Sequence, residues 1–321
     1  MMILIFAMLS LEVFGGCIKD GNKDRVEQMT YSVSSAYFIG NSLTQDLNND
    51  FPAIAKRYEA ELGKTYTWGS HFRPSTALTF MYLYPNDSTT KASPSNWAIA
   101  LPGSHWDVVS MQPYQDSQGA PNSLADNINA VNGIIVKTKQ NKSNENTRFF
   151  IYSPWPKTSA TDLNFSSNLY NASTIVKSDP GSTQCSLSRD FIEQLCDSVR
   201  KTNSVVCVIP VGEVFYVLDQ MMHQGKFNTL TSINQFHRDP YHLNSAGINV
   251  TGWVAFATMF KKSPVGLVYD KINKVVKSPF PEMHITDSHD LLLIQQTIWE
   301  VVVAKDKYTR VITEHAGQNQ P

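Results

Sequence analysis

The stretch Ala36-Tyr37-Phe38-Ile39-Gly40-Asn41-Ser42-Leu43-Thr44 decides the predicted fold, because it leads from an apolar run into a polar turn. The four residues 36–39 have the apolar character of a buried strand, and Gly40 permits a tight turn after them. Residues 46–62 then carry apolar side chains at helical spacing and stop at Gly63, so the pattern predicts a strand followed by a helix that begins near Gln45. Ser42 is therefore expected at the carboxyl end of a strand.

The same alternation of short apolar runs and helical patterns continues along the chain. Further strands are predicted over 64–68, 106–111, 148–152 and 204–209, and further helices over 123–139, 187–201, 212–223, 245–260 and 287–304. Strands that alternate with helices indicate a parallel sheet covered on both faces. The sequence thus predicts an α/β fold, a three-layer α/β/α flavodoxin-like sandwich with a mostly parallel five-stranded sheet. In such sheets, functional residues gather at the carboxyl ends of the strands.

The N-terminus is typical of an exported protein. Residues 1–16 are nearly all apolar or small, and the apolar part is too short to span a bilayer but suits a secretory signal. Small residues precede Cys17, as in a bacterial lipoprotein, where lipidation of this cysteine would attach the chain to a membrane. A buried N-terminal helix is the alternative. Residues 17–31 are interpreted as a linker and 32–321 as one domain, with 263–321 as a C-terminal helical extension and 159–184 as a long surface loop.

Composition excludes some classes of function. The formal net charge of -1 and a pI near 6.7 show no basic excess, which argues against nucleic-acid binding. The four cysteines form no CxxC pair, and the eight histidines form no HExxH pair, so no metal site is predicted. Cys207 is expected to be a buried thiol, while Cys185 and Cys196 could pair in an oxidising compartment.

A second motif, Arg238-Asp239-Pro240-Tyr241-His242-Leu243-Asn244, precedes the helix at 245–260. A serine becomes a strong nucleophile when a histidine takes its proton, and a carboxylate fixes the tautomer of that histidine. Asp239 and His242 lie three residues apart on one turn, so a single loop could present both. His237 competes for the role of base but has no acid at matching spacing. As an alternative, Asn41 and Asp239 could simply cap turns.

In their order along the chain, Gly40-Asn41-Ser42-Leu43 and Asp239-Pro240-Tyr241-His242 resemble the first and last blocks of the SGNH (GDSL-like) hydrolase family. The resemblance extends over about residues 37–260 and implies that Ser42 is the nucleophile, His242 the general base and Asp239 its partner. It also implies an oxyanion hole formed by the amides of Ser42 and Gly69 and by the Gln112 side chain, which replaces the family's usual Asn.

Aromatic and polar groups near the same predicted sheet edge could bind a sugar substrate: His71, Arg73, Tyr114, Trp155 and Tyr241. The sequence, with this resemblance, predicts a periplasmic or cell-surface esterase that removes a small acyl group, such as acetyl, from a carbohydrate. It predicts no cofactor. A non-catalytic carbohydrate-binding or surface lipoprotein is the alternative, whereas a nucleotide binder is disfavoured because no glycine-rich phosphate loop follows a strand.

Overall fold

A computed structural model describes residues 32–90, 94–114, 122–155, 170, 188–267 and 283–311. The predicted signal segment 1–16, the linker 17–31, Cys17, Cys185 and most of the predicted loop 159–184 lie outside these residues. All statements about the structure below refer to the described residues.

The centre of the fold is a five-stranded sheet in which every strand pair is parallel and the strand order is β2-β1-β3-β4-β5. The strands are β1 Ser35–Gly40, β2 Thr67–Phe72, β3 Val108–Met111, β4 Arg148–Tyr152 and β5 Val206–Ile209. Every residue of β1, β3 and β5 is buried, as expected for central or covered parallel strands. The predicted α/β fold with a five-stranded parallel sheet is confirmed.

Helices cover both faces of the sheet. They are α1 Ser42–Asn48, α2 Phe51–Glu61, α3 Leu78–Leu83, α4 Trp97–Gly103, α5 Leu124–Thr138, α6 Arg189–Arg200, α7 Val211–His223, α8 Ser245–Phe260, α9 Ser288–Ala304 and α10 Asp306–Thr309. Because side chains alternate along a strand, Phe38 packs with α1, α2, α7, α8 and α9, while Tyr37 and Ile39 pack with α3–α6. The two cores and the sheet between them form the three-layer sandwich.

Helix α8 is apolar on all sides because α1, α2, α7 and α9 pack around it. Helix α9, from the predicted C-terminal extension, also contacts α7 and therefore packs on the same core. Within the described ranges, no helix combines the length and apolar character needed to cross a bilayer.

The helix predicted over 46–62 is two helices, which corrects the sequence analysis. Helix α1 begins earlier, at Ser42, and ends at Asn48, while α2 begins at Phe51 with Pro52 in its first turn. Proline is tolerated at the start of a helix but not in its interior, so Pro52 marks a new start. Helices α3 and α4 were not predicted, because both are short and α4 contains Pro102.

One buried carboxyl group lies where α2 packs against α8. Asp50 is 2% exposed, and its Oδ2 has no hydrogen-bond partner among the described residues. A Cβ atom added to Gly252 would lie 2.8 Å from this oxygen, so the glycine permits the close approach of the two helices. Burial raises the pKa of Asp50 from 3.8 to about 7, because the charged form is poorly solvated there.

We therefore expect Asp50→Asn to stabilise the protein at alkaline pH. Since the folded pKa is raised, the stability contributed by the protonated acid is fully present below pH 4 and is lost as pH rises through about 7. The shift corresponds to at most about 4 kcal/mol. Urea unfolding at pH 4 and pH 8 measures the difference, with the pH 4 value as internal control. Equal free energies of unfolding for variant and wild type at pH 8 would contradict this account.

Candidate active site

Ser42 is the first residue of α1 and lies two residues beyond the end of β1, at the carboxyl edge of the sheet. Asn41 caps the helix, because its side-chain oxygen accepts the Leu43 N–H at 3.0 Å. Ser42 is partly exposed, whereas Asn41 is 1% exposed. The Asn41 cap, predicted as an alternative role for this turn, is present. It holds Ser42 at the N-terminus of α1, where the helix dipole favours negative charge.

Gln112 directly follows β3, and its side chain is hydrogen-bonded to the turn that carries Ser42. It is completely buried, and its Oε1 accepts hydrogen bonds from the N–H groups of Asn41 (3.2 Å) and Thr44 (3.0 Å) and from the Thr44 hydroxyl (2.5 Å). Its Nε2 donates to the Asn41 side chain at 2.9 Å. The amide of Gln112 thus links β3 to the Ser42 turn, a role that the sequence did not indicate. Its predicted donation to an oxyanion stays a prediction.

We expect Gln112→Ala to lower both stability and turnover. The substitution leaves three buried donors of the Ser42 turn without their acceptor, and each unsatisfied buried group costs about 1–3 kcal/mol. Thermal unfolding and ester turnover, measured on the same preparation, test both effects. Full turnover in a destabilised variant would show that the turn keeps its shape without Gln112.

The predicted position of Gly69 after the second strand is wrong. Gly69 lies inside β2, where it pairs with Tyr37, while Phe72 pairs with Gly40. Its amide is therefore three residues, or about 10 Å, back from the carboxyl end of the strand, which does not fit the predicted oxyanion donor. The strand is closely packed at Gly69, because an added Cβ would lie 3.0 Å from the Pro94 carbonyl oxygen and from the Tyr37 ring.

The loop after β2 lies beside the Ser42 turn instead. The Asn41 side chain donates to the Thr76 carbonyl oxygen at 3.2 Å. Ser75 adopts a φ of 49°, an uncommon left-handed conformation for a residue other than glycine. Such backbone conformations cluster at functional sites, where the surrounding structure holds them in place. The segment that contacts the Ser42 turn is therefore the loop that follows β2, and not Gly69.

His242 and Asp239 form the hydrogen-bonded pair that their spacing predicted. The Asp239 carboxylate lies 2.8 and 3.0 Å from His242 Nδ1 and accepts the N–H groups of Tyr241 and His242, both at 2.8 Å. Burial raises the pKa of Asp239, but these hydrogen bonds outweigh it, so the net pKa is lowered. His237, the competing base, is partly buried with its ring edge-on to Phe215, and the loss of solvent lowers its pKa to about 4.

The loop that carries this pair reaches the carboxyl edge through Trp155. The Trp155 Nε1–H donates to the Tyr241 carbonyl oxygen at 2.9 Å, and its ring stacks on Phe215 with centroids 5.6 Å apart. Trp155 is 1% exposed. The prediction that it stacks on a sugar is therefore wrong: it anchors the loop, because its whole ring is covered by protein.

The other predicted substrate-binding residues differ in accessibility. His71 is fully buried, neither ring nitrogen has a partner among the described residues, and burial lowers its pKa to about 4, so the ring is neutral at pH 7. It borders a cavity of about 120 Å³ next to α1, which Thr44 also lines. Arg73 pairs with Asp87 at 2.8 Å. The His71 ring is therefore covered by protein, and the Arg73 guanidinium is paired with Asp87, so neither group is exposed for stacking on a sugar.

Tyr114 and Tyr241 remain as accessible aromatic groups. Tyr241 is 42% exposed, and its ring centroid lies 6.4 Å from that of His242. Burial, and to a lesser degree the nearby Tyr241, raise the pKa of Tyr114, which indicates that the two tyrosines are close. The predicted contacts of Tyr114 and Tyr241 with a substrate stay predictions.

Other residues with metal or redox chemistry have structural explanations. Asp287, His289 and Asp290 lie together, but the two carboxylates accept N–H groups at the start of α9 and in the turn at Asn228 and Thr229. These capping bonds account for the cluster.

The described thiols are both free. Cys207 is buried, as its apolar surroundings predicted, and Cys196 is buried as well. Burial is the main cause that raises the pKa of each thiol, so both are poor nucleophiles.

Comparison with known proteins supports the fold. No family model matches the chain, and no curated protein matches it either. A crystal structure of a DUF4886 family protein from Bacteroides uniformis is similar to this chain, with a TM-score of 0.53 and 16% sequence identity. The match covers 88% of this chain and 97% of that chain. At this identity, the likeness extends to the fold alone.

Proposed function

We propose that the protein is a serine esterase of the SGNH type, with Ser42 as nucleophile, His242 as general base and Asp239 as the partner of His242. The observation that carries this proposal is the bond between Asp239 and His242 Nδ1, at 2.8 Å, on a loop that reaches the edge of the sheet where Ser42 lies. A carboxylate on Nδ1 fixes the tautomer in which Nε2 can take a proton from a hydroxyl group.

The proposed reaction proceeds by acyl transfer. Ser42 Oγ attacks the ester carbonyl carbon while His242 Nε2 takes its proton, and the carbonyl oxygen gains negative charge at the N-terminus of α1. The tetrahedral intermediate collapses, and His242 protonates the leaving alcohol. Water then attacks the acyl-enzyme, with His242 again as base, and releases the carboxylic acid. Each proposed step uses side chains of this protein and water, and none requires a cofactor.

The substrate we propose is a carbohydrate that carries a small acyl group such as acetyl. The exposed Tyr241 and the partly buried Tyr114 support this choice, since an aromatic ring beside a reacting group can stack on a sugar. We also propose an exported location, with a lipid on Cys17, because residues 1–16 are typical of a secretory signal and such a location fits a polysaccharide substrate outside the cytoplasm. The alternative is a carbohydrate-binding protein on the same scaffold without catalysis.

Labelling with a fluorophosphonate separates the two proposals. An esterase with an activated Ser42 reacts covalently with the probe and hydrolyses p-nitrophenyl acetate or acetylated glycans, whereas a binding protein remains unlabelled. Ester hydrolysis that chelators abolish and that serine-directed reagents leave unchanged would defeat the serine mechanism.

A further inference from the structure

Asp46 lies one helical turn after Ser42, on the same side of α1, and is 1% exposed. A buried carboxylate is costly unless it is paired and hydrogen-bonded. Asp46 takes no part in the proposed acyl transfer. Its position between the nucleophile helix and the rest of the core therefore needs an explanation.

Both oxygens of Asp46 bind the loop that carries the acid–base pair. Oδ1 accepts a hydrogen bond from the Arg238 guanidinium at 3.1 Å, and Oδ2 accepts the Leu243 N–H at 2.9 Å. These two partners directly flank Asp239 and His242 in the sequence. They lie 192 and 197 residues from Asp46, so one carboxylate joins distant parts of the chain.

Arg238 in turn closes the loop. Its N–H donates to the His242 carbonyl oxygen at 2.9 Å, and its guanidinium donates to the Leu243 carbonyl oxygen at 2.8 Å. The loop is therefore hydrogen-bonded to Asp46 on both sides of the Asp239–His242 segment, and Asp46 belongs to the helix that begins with Ser42. Burial raises the pKa of Asp46 to about 6, and the Arg238 guanidinium and the Leu243 hydrogen bond offset part of that rise.

We propose that the Asp46–Arg238 pair is a positioning device that holds the His242–Asp239 loop in register with Ser42. This inference rests on the proposed function, because the position of His242 relative to Ser42 matters for turnover only if the two residues are base and nucleophile. Asp46 acts through Leu243 and Arg238 and touches no reacting atom. Misplacement of a base by about 1 Å can cost about 10²-fold in rate, so a clamp at this point controls turnover.

The test compares Asp46→Asn with Asp50→Asn. Both replace a buried carboxylate by an amide of the same shape within one short stretch, but Asp50 has no described bond to the loop. We expect Asp46→Asn to lower kcat by about 10²-fold with KM nearly unchanged. Asp50→Asn should leave kcat within about twofold. Equal kcat values for Asp46→Asn and wild type would overturn the proposal.

Arg238→Lys provides a second variant in case Asp46→Asn does not fold. It keeps the charge but loses the forked hydrogen bonds, so kcat should again fall at constant KM. If the pair acts as one unit, the double variant Asp46→Asn/Arg238→Lys should cost little more than the more damaging single variant. Additive losses in kcat would contradict a shared clamp.

Amide hydrogen exchange tests the clamp without any substrate. Asp46→Asn keeps one acceptor oxygen and replaces the other by an NH₂ group, so only one of the bonds to Arg238 and Leu243 can remain. Exchange of the Leu243 N–H and its neighbours should speed up by at least about tenfold, with no such change in Asp50→Asn. If wild type fails to react with a fluorophosphonate, the proposed function fails while this exchange result still tests the clamp. If wild type reacts and Asp46→Asn shows unchanged exchange, the clamp fails and the esterase proposal stands.

Discussion

Replacing Ser42 with alanine is expected to reduce ester hydrolysis by about 10⁴-fold or more and to abolish fluorophosphonate labelling. The reason is that the acyl group then has no nucleophile to accept it, and only water near the residual oxyanion site can react. The fold should be unaffected, since Ser42 is partly exposed and Asn41, not Ser42, caps α1. Hydrolysis rates with p-nitrophenyl acetate and a labelling gel measure the two effects.

Ser110→Ala is the matched control for Ser42→Ala. Ser110 is a buried serine inside β3, two residues before Gln112, and takes no part in the proposed chemistry. This variant should keep both labelling and hydrolysis. Hydrolysis that survives Ser42→Ala at the wild-type rate would remove Ser42 from the mechanism and leave the fold without an assigned nucleophile.

His242→Ala belongs to the same prediction, because nucleophile and base act as a unit. The single variant should lose nearly as much activity as Ser42→Ala, and combining the two should cost little more. A double variant that is slower than either single variant by the product of their effects would indicate two independent contributions instead of one proton transfer between Ser42 and His242.

The strands and helices could be predicted from the sequence because the apolar pattern determines them locally. The strand at Arg148–Tyr152 and the helix at Ser245–Phe260 have the predicted bounds, since Pro154 and the polar turn before Ser245 mark their ends. The second strand was predicted over 64–68, so its start was three residues and its end four residues too early, because Gly69 was interpreted as the residue that follows the strand. Glycine in a strand can equally mark a close approach to another backbone, which requires tertiary structure to recognise.

The site could be predicted only as far as its residues depend on short-range spacing. Asp239 and His242 are three residues apart, so one turn brings them together. Trp155 and Gln112 have their roles through contacts with residues about 70 to 90 positions away, and nothing in their local sequence indicates those partners. Trp155 was predicted to contact the substrate, but it is buried and anchors the loop through Tyr241. Gln112 was predicted to donate to an oxyanion; it also supports the Ser42 turn, and its donation stays a prediction.

Asp239→Asn is expected to lower kcat by about 10⁴-fold while the loop keeps its shape. The Asn oxygen can still accept the Tyr241 and His242 N–H groups, but its NH₂ group would face His242 Nδ1 and favour the wrong tautomer. Asp239→Ala, which also loses the turn hydrogen bonds, should show a lower melting temperature besides low activity.

The pH dependence of wild type sharpens this test. The pKa of Asp239 is lowered in the folded protein. The stability that its ionised form contributes is therefore fully present above the ordinary pKa of an aspartate, and it is lost as the pH falls through the lower, folded pKa. Protonation of Asp239 should therefore not limit turnover at pH 5. An Asp239→Asn variant with wild-type kcat at pH 7 would show that His242 takes the Ser42 proton without a carboxylate partner, or that another base does.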